Sequence, residues 1–372
     1  MKNVLVTGAA GFVGINLVTA LQRCEDIILS TITSDDDRAA LDNALLEADI
    51  IFHLAGVNRP KDEDEFVSGN AELTNYIVRF LERNSKTPKI VLPSSSQAAL
   101  DNPYGRSKKA AEDSVLEYHR KTGAAVAVYR LPGVFGKWSR PNYNTVVATF
   151  CHNISRGLEI RISAPDHELE LVYVDDVVAE FLRHLDEGFA KDRQRCTVTR
   201  TFRITLGELA ERIRALYAIR ETLVIPDLSD DLMKCLHATY LSFLPEDDFA
   251  YPVKMFTDER GWLFELIKSE QFGQIFVSKT RPGITRGNHY HDTKLEKFCV
   301  IQGKGMIRFR KIGSRVILEY PVDGDMVKVV DIPPGYTHSI ENMGTEEMIC
   351  LFWANQIFNP EEPDTYFLKV KE

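Results

Sequence analysis

Tyr104 and Lys108 stand four residues apart in the run Tyr-Gly-Arg-Ser-Lys. On a helix, that spacing puts the phenol and the ammonium on one face. A free phenol titrates near pH ~10, and a neighbouring ammonium favours its ionised form and lowers that value. Such a pair can give a proton to a carbonyl oxygen as hydride reaches the carbon. Three consecutive serines, Ser94, Ser95 and Ser96, lie just upstream, where a hydroxyl can orient the same carbonyl. Tyr104 and Lys108, with Ser95 or Ser96 and Ser95 preferred, form the expected catalytic group.

A second constellation lies near the other end of the chain. His289 and His291 are separated by one residue, so on a strand their side chains share a face. Glu296 and His338 follow. Three imidazoles and a carboxylate suit a divalent transition metal; Zn, Mn, Ni and Fe would all accept them. His289, His291, Glu296 and His338 are therefore expected to hold one ion, either as a structural brace or as a Lewis acid.

A third motif sits at the start: Val4-Leu-Val-Thr-Gly8-Ala-Ala-Gly11-Phe-Val-Gly14. A strand that turns at Gly8 and enters a helix by way of Gly11 and Gly14 is built for a pyrophosphate. The glycines allow a tight turn, close backbone approach and close helix packing, and the free N–H groups of the helix face the phosphates. Thr7, Gly8, Gly11, Phe12, Val13 and Gly14 are thus expected at a dinucleotide. A carboxylate ending the second strand would bind the ribose 2′-hydroxyl of NAD. That strand ends Ser30-Thr-Ile-Thr-Ser34 instead, with Asp35–Asp37 only beyond it and Arg38 nearby, which points to NADP(H).

The elements that must position these groups follow a consistent pattern. Apolar runs at 3–7, 26–32, 50–54, 89–92 and 124–130 read as strands. Helical stretches at 12–22, 38–47, 72–83 and 107–122 separate them. This alternation predicts a doubly wound parallel sheet. Beyond residue 245 the runs are short and β-like, at 274–279, 297–301, 305–310, 315–320, 326–331 and 348–353, with glycine and proline turns between them. The fold class is therefore α/β, with a Rossmann-like domain over 1–245 and an all-β barrel over 246–372.

The 372 residues carry 45 Lys and Arg against 54 Asp and Glu, a net charge of −9. This balance disfavours nucleic acid and membrane surfaces as partners, because both are polyanionic. No apolar run is long enough to span a bilayer. Six scattered cysteines without a C-x-x-C, and an opening MKNVLVTG that turns at glycine too early for a signal peptide, point to reduced thiols and the cytoplasm.

Over residues 1–245 the motifs resemble the extended short-chain dehydrogenase/reductase family. The matching pieces are T-G-x-x-G-F-x-G at 7–14, H-L-A-G at 53–56, Asn70, the serines at 94–96, Y-x-x-x-K at 104–108 and Val172-Tyr-Val-Asp-Asp-Val177. The resemblance implies that Tyr104 is the acid–base residue and that Lys108 also holds the nicotinamide ribose. It places Leu54, Ala55, Gly56 and Leu131 along the cofactor, and it makes a nucleotide-activated sugar the substrate. Lys137, Arg140, Asn142 and Asn144 then offer donors to a diphosphate, while His53 is expected to be structural.

The second half resembles the cupin superfamily. Its first motif is complete from Gly283 to Gly303. The second runs from Pro333 to Asn342 and departs at its leading glycine, for which Gly324 is the nearest candidate. Phe256–Glu265 and Thr285–His289 also resemble the dTDP-4-dehydrorhamnose 3,5-epimerases. The catalytic histidine–aspartate pair of those enzymes is not matched, so Tyr290, Lys297 and Tyr336 stand as candidates for the base.

Across nearly the whole chain, the arrangement resembles capsular polysaccharide enzymes that join such a reductase to a zinc cupin. That resemblance implies a bifunctional homodimer with NADPH and one Zn2+ per cupin domain. Its cupin would epimerise C3 of a UDP-2-acetamido-2,6-dideoxy-4-hexulose. Its reductase would then convert the C4 ketone to UDP-N-acetyl-6-deoxy-L-talosamine, a precursor of L-fucosamine. The alternative is a one-activity reductase whose cupin serves only for association.

Overall fold

The computed structural model describes residues 1–60, 62, 64–185 and 195–371. The chain divides into two compact units, the first made of Met1–Ile213 with Cys235–Pro245 and the second of Arg214–Lys234 with Glu246–Glu372.

The first unit opens with β1 (Lys2–Thr7), α1 (Phe12–Leu21), β2 (Ile27–Ile32), α2 (Arg38–Glu47) and β3 (Ile50–His53). Next come α3 (Asp64–Phe66), a π-helical turn (Val67–Glu72), α4 (Leu73–Arg83), β4 (Lys89–Ser95), α5 (Pro103–Thr122) and β5 (Val126–Leu131). It continues through β6 (Gly133–Phe135), α6 (Val146–Ile154), β7 (Glu168–Tyr173), α7 (Val174–Leu182), β8 (Arg195–Cys196) and β9 (Phe202–Thr205). The main sheet has the order β2-β1-β3-β4-β5-β8, and its neighbours are parallel.

Alternation along β1 explains why the sheet is covered on both faces. Val4 and Val6 enter one core with Leu17 and Phe52, whereas Leu5 enters the opposite core with Leu41, Leu45 and Ile51. The chain leaves β1 towards β2 on one side and returns to β3 on the other. A ligand crevice belongs outside the carboxyl ends of strands at such a switch point.

Two expectations need correction here. The helix expected from residue 107 begins at Pro103, because Asn102 caps it by accepting from the Gly105 N–H at 2.7 Å and proline occupies its first turn. Tyr104 consequently sits inside the first turn. The helix expected from residue 72 is preceded by helical structure from Asp64 onward, including the π turn that carries Asn70.

Helices α8 (Leu206–Thr222) and α9 (Asp231–Leu241) contribute residues to both units. The second unit continues with β10 (Met255–Asp258), β11 (Gly261–Ser269), β12 (Gly273–Thr280), β13 (Thr285–Tyr290), β14 (Glu296–Gln302) and β15 (Lys304–Lys311). It ends with β16 (Ile317–Asp323), β17 (Val329–Ile332), β18 (Tyr336–Asn342), β19 (Met348–Ala354) and β20 (Tyr366–Phe367). Two sheets result, β10-β11-β12-β19-β14-β17 and β16-β15-β18-β13-β20. Phe298 and Phe352 from the first sheet meet Ile307, Phe309 and Ile340 from the second in one buried core. This is the antiparallel cupin-like architecture expected. Strands β10, β11, β13, β18 and β20 add to the runs read from periodicity, and the runs expected at 315–320 and 326–331 fall on 317–323 and 329–332.

Candidate active site and metal centre

The glycine turn forms one wall of a cleft of about 660 Å³ in the first unit. Gly8 has φ +68°, and a Cβ there would lie 2.5 Å from the Ala55 nitrogen. Gly11 caps α1, and the first turn of α1 holds no acidic residue, leaving its N–H groups open to an anion. A Cβ on Gly14 would meet the Gly8 carbonyl oxygen at 2.2 Å. Gly14→Ala is therefore expected to push the turn out of shape and weaken dinucleotide binding by about 1–3 kcal/mol, as measured by fluorescence titration with NADPH.

Gly8, Gly11, Phe12, Val13, Gly14, Leu54, Gly56 and Leu131 line the cleft. Thr7 and Ala55 sit behind that lining. The Thr7 hydroxyl accepts from the Ala55 N–H at 3.3 Å and meets His53 Nδ1 at 2.7 Å. His53 also meets the Thr74 hydroxyl through Nε2 at 2.9 Å, and burial, reinforced by the Lys108 charge, pushes its pKa down to about 3. It is thus held as a neutral structural bridge between β1, β3 and α4.

Ser95, Ser96, Tyr104 and Lys108 converge on the same cleft. Lys108 Nζ lies 5.9 Å from the centre of the Tyr104 ring. The expected lowering of the phenol's pKa does not occur in the free protein: burial raises it, and the neighbouring Ser95 hydroxyl pulls only partly the other way. A phenol that stays protonated is suited to be a proton donor. Its O–H donates to Asn58 Oδ1 at 2.8 Å. Nothing in the sequence pattern singled out Asn58, which follows His53-Leu-Ala-Gly by two residues. Burial also pushes the Lys108 ammonium down to about 8, opposed by the charge of Glu112.

Buried polar groups hold this arrangement from below. Glu112 is fully buried; it accepts from the Ser94 hydroxyl at 2.6 Å and from Arg130 Nε and Nη2 at 2.9 and 2.7 Å. It ties α5 to the ends of β4 and β5. Asn70 donates to the Val57 carbonyl at 3.0 Å and to the Ser107 hydroxyl at 3.1 Å, and accepts from the Val57 N–H at 3.0 Å. Of the residues expected at a diphosphate, Arg140 and Asn144 line the cleft. Lys137 pairs with Asp175 instead, and the Asn142 N–H donates to Thr149 Oγ1 at 3.0 Å.

In the second unit, His289, His291, Glu296 and His338 each bring one ligand atom within 4.8 Å of the others. His289 and His338 face each other across β13 and β18, where a bulge after Gly287 re-aims the strand. His291 Nε2 lies 3.1 Å from Glu296 Oε2, and His338 Nε2 lies 3.5 Å from the same oxygen. Among the described residues, His338 Nε2 is buried and makes no hydrogen bond, an arrangement that costs free energy unless something binds it. Burial pushes the His289 imidazole down to about 4, aided by His338 and His291, so its nitrogen lone pair is free to ligate. An orphaned buried nitrogen within a set of three imidazoles and a carboxylate fits a divalent metal. The base candidates lie around this set. Lys297 is paired with Asp331, Tyr290 stacks on Tyr366 with ring centres 5.2 Å apart, and Tyr336 packs against the core.

The family model described as the NAD dependent epimerase/dehydratase family matches residues 4–196. The chain belongs to this family. A second model, the polysaccharide biosynthesis C-terminal domain, matches residues 256–366. Among relatives of this epimerase/dehydratase chain is the UDP-2-acetamido-2,6-beta-L-arabino-hexul-4-ose reductase of Pseudomonas aeruginosa. It is 43% identical over 99% of this chain and 99% of its own. The crystal structure of capsular polysaccharide assembling protein CapF from Staphylococcus aureus aligns with a TM-score of 0.93 at 46% identity, covering 99% of this chain and 100% of that one. A Bacillus cereus UDP-glucuronic acid 4-epimerase in complex with NAD shares the fold over 65% of this chain and 96% of its own, at TM-score 0.55 and 17% identity. Among the described residues, no helix is long and apolar enough to cross a membrane.

Proposed function

We propose that the chain is a bifunctional nucleotide-sugar enzyme. Its cupin epimerises C3 of a UDP-2-acetamido-2,6-dideoxy-4-hexulose, and its Rossmann domain then reduces the C4 ketone with NADPH. The observation that carries this reading is the convergence of the Tyr104 hydroxyl, Ser95 and Lys108 on the same cleft as the glycine turn. Near-full-length identity to the Pseudomonas aeruginosa reductase supports the substrate class.

Bound NADPH supplies a hydride to the carbonyl carbon. Tyr104 gives its proton to the oxygen, which becomes the C4 hydroxyl. The Ser95 hydroxyl donates a hydrogen bond to the same oxygen and orients it, with Ser96 beside it at the cleft wall. The substrate oxygen takes the place of Asn58 as the acceptor of the phenol. The Lys108 ammonium stabilises the phenolate left behind. Because that charge is needed and Lys108 titrates at about 8, reduction should fall as pH rises past that value. NADPH oxidation followed from neutral to alkaline pH checks this expectation, and a rate that climbed throughout would contradict it.

NADP(H) is favoured over NAD(H) because β2 ends at Ile32 without a carboxylate, and Asp36, in the turn beyond it, is already engaged by the Thr33 N–H and hydroxyl at 2.7 and 2.8 Å. In the second unit, His289, His291, Glu296 and His338 would hold one zinc ion, which when bound supplies a Lewis acid. A C4 ketone acidifies the C3 proton, because the carbanion delocalises as an enolate. Reduction destroys that ketone, so epimerisation must precede it. The reading includes a cytoplasmic homodimer. Six unbridged cysteines support the compartment, and apolar side chains exposed along the edge strand β16, Ile317, Leu318 and Tyr320, support the association.

The test is product analysis by NMR with the UDP-4-keto sugar and NADPH. The expected product is inverted at C3 and reduced at C4. A reduced product with its original C3 configuration would leave only a reductase.

A further inference from the structure

We infer that Asp364 is the positioning residue of the cupin metal centre, acting on it through His291 and through the loop between His291 and Glu296. This inference rests on the reading of the four-residue cluster as a metal site.

Two of the proposed ligands, His291 and Glu296, are separated by the short loop 292–295. Three consecutive backbone N–H groups of that loop converge on one carboxylate from far along the chain. Asp292 donates to Asp364 Oδ1 at 2.9 Å, and Thr293 and Lys294 donate to Oδ2 at 2.9 and 2.8 Å. The Thr293 hydroxyl adds a fourth bond to Oδ2 at 2.9 Å. Successive N–H groups turned inward in this way make an anion-binding concavity, here filled by a side chain of the same protein.

The backbone of the same residue does a second job. His291 Nδ1 lies 2.5 Å from the Asp364 carbonyl oxygen. A carbonyl can only accept, so Nδ1 carries a proton, which makes Nε2 the nitrogen that would offer its lone pair to a metal. Asp364 reaches both groups with φ +41°, a left-handed conformation costly for a residue with a side chain and kept only where its surroundings enforce it. They do so on either flank. The Lys294 ammonium donates to the Pro363 carbonyl at 2.8 Å and to the Thr365 hydroxyl at 3.1 Å. Directly after, Tyr366 and Phe367 pair with Tyr290 and His289 as β20. The segment 363–367 therefore braces the strand of one ligand, the ring of a second and the loop leading to a third.

Outer partners of this kind set metal affinity by about 10- to 100-fold. The experiment uses the full chain, stripped with a chelator and titrated with Zn2+ against a chromophoric chelator, with Co2+ absorption reporting ligand geometry. Asp364→Ala should bind Zn2+ about 10- to 100-fold more weakly than wild type and change the Co2+ spectrum. Thr293→Val, which removes one hydrogen bond while keeping the side-chain volume, should weaken Zn2+ binding about two- to tenfold. It decides the matter should Asp364→Ala fail to fold. Glu361→Ala, an exposed change nearby, should behave as wild type, and all variants should keep NADPH binding. Wild-type zinc affinity and Co2+ spectra in both Asp364→Ala and Thr293→Val would overturn the inference, as would an equal loss in Glu361→Ala. A wild-type chain that takes up no Zn2+ would instead sink the metal reading itself.

Discussion

Tyr104→Phe is expected to lower NADPH oxidation by about 10²- to 10⁴-fold, the range lost when a positioned acid is removed. The ring is retained, and with it the packing against Phe66, whose ring centre lies 5.4 Å away, so the cleft should keep its shape. What disappears is the only O–H that the phenol turns into the cleft. Deuterium uptake at C3 from D2O should continue unchanged in this variant, because that step belongs to the cupin. Loss of both activities would contradict the division of labour, whereas loss of reduction alone would locate the proton donor.

The mirror experiment is His338→Ala. His338 is fully buried and, among the described residues, its Nε2 makes no hydrogen bond and approaches the proposed ligand Glu296 at 3.5 Å, so its main contribution is as a ligand. Its removal should release the metal and drop C3 deuterium exchange by about 100-fold or more, exceeding the loss from an outer partner. Reduction of a substrate already inverted at C3 should persist. Exchange is measured by NMR on the 4-keto sugar without NADPH, and metal content by elemental analysis of the purified chain. If the cupin served for association alone, the variant would give the same product stereochemistry as wild type.

Most of the chemistry was legible because it is local in the chain. The glycine turn is contained in residues 8–14, the phenol and the ammonium lie one helical turn apart, and His289-x-His291 needs only a strand. The start of α5 was also written in the sequence: Asn102 followed by Pro103 is a cap and a first-turn residue, although the helix was expected to begin four residues later. The period-two reading overlooked β13 because Gly287 and Asn288 both adopt positive φ there, which breaks the alternation where the ligands are aimed.

Contacts between distant residues left no comparable trace. Asn58 meets Tyr104 across 46 positions, and Asp364 meets the ligand loop across about 70. The raised pKa of Tyr104 likewise depends on burial created by the fold rather than on its spacing from Lys108.

If the two sites treat one ketone in succession, the hydrogens of the product record it. Wild-type enzyme is given the UDP-2-acetamido-2,6-dideoxy-4-hexulose and unlabelled NADPH in D2O, and the reduced sugar is examined by NMR. The predicted product carries deuterium at an inverted C3 and protium at C4. A reduced product with protium at C3 would mean that the ketone reached the reductase without first losing its C3 proton, and would contradict the succession of the two sites.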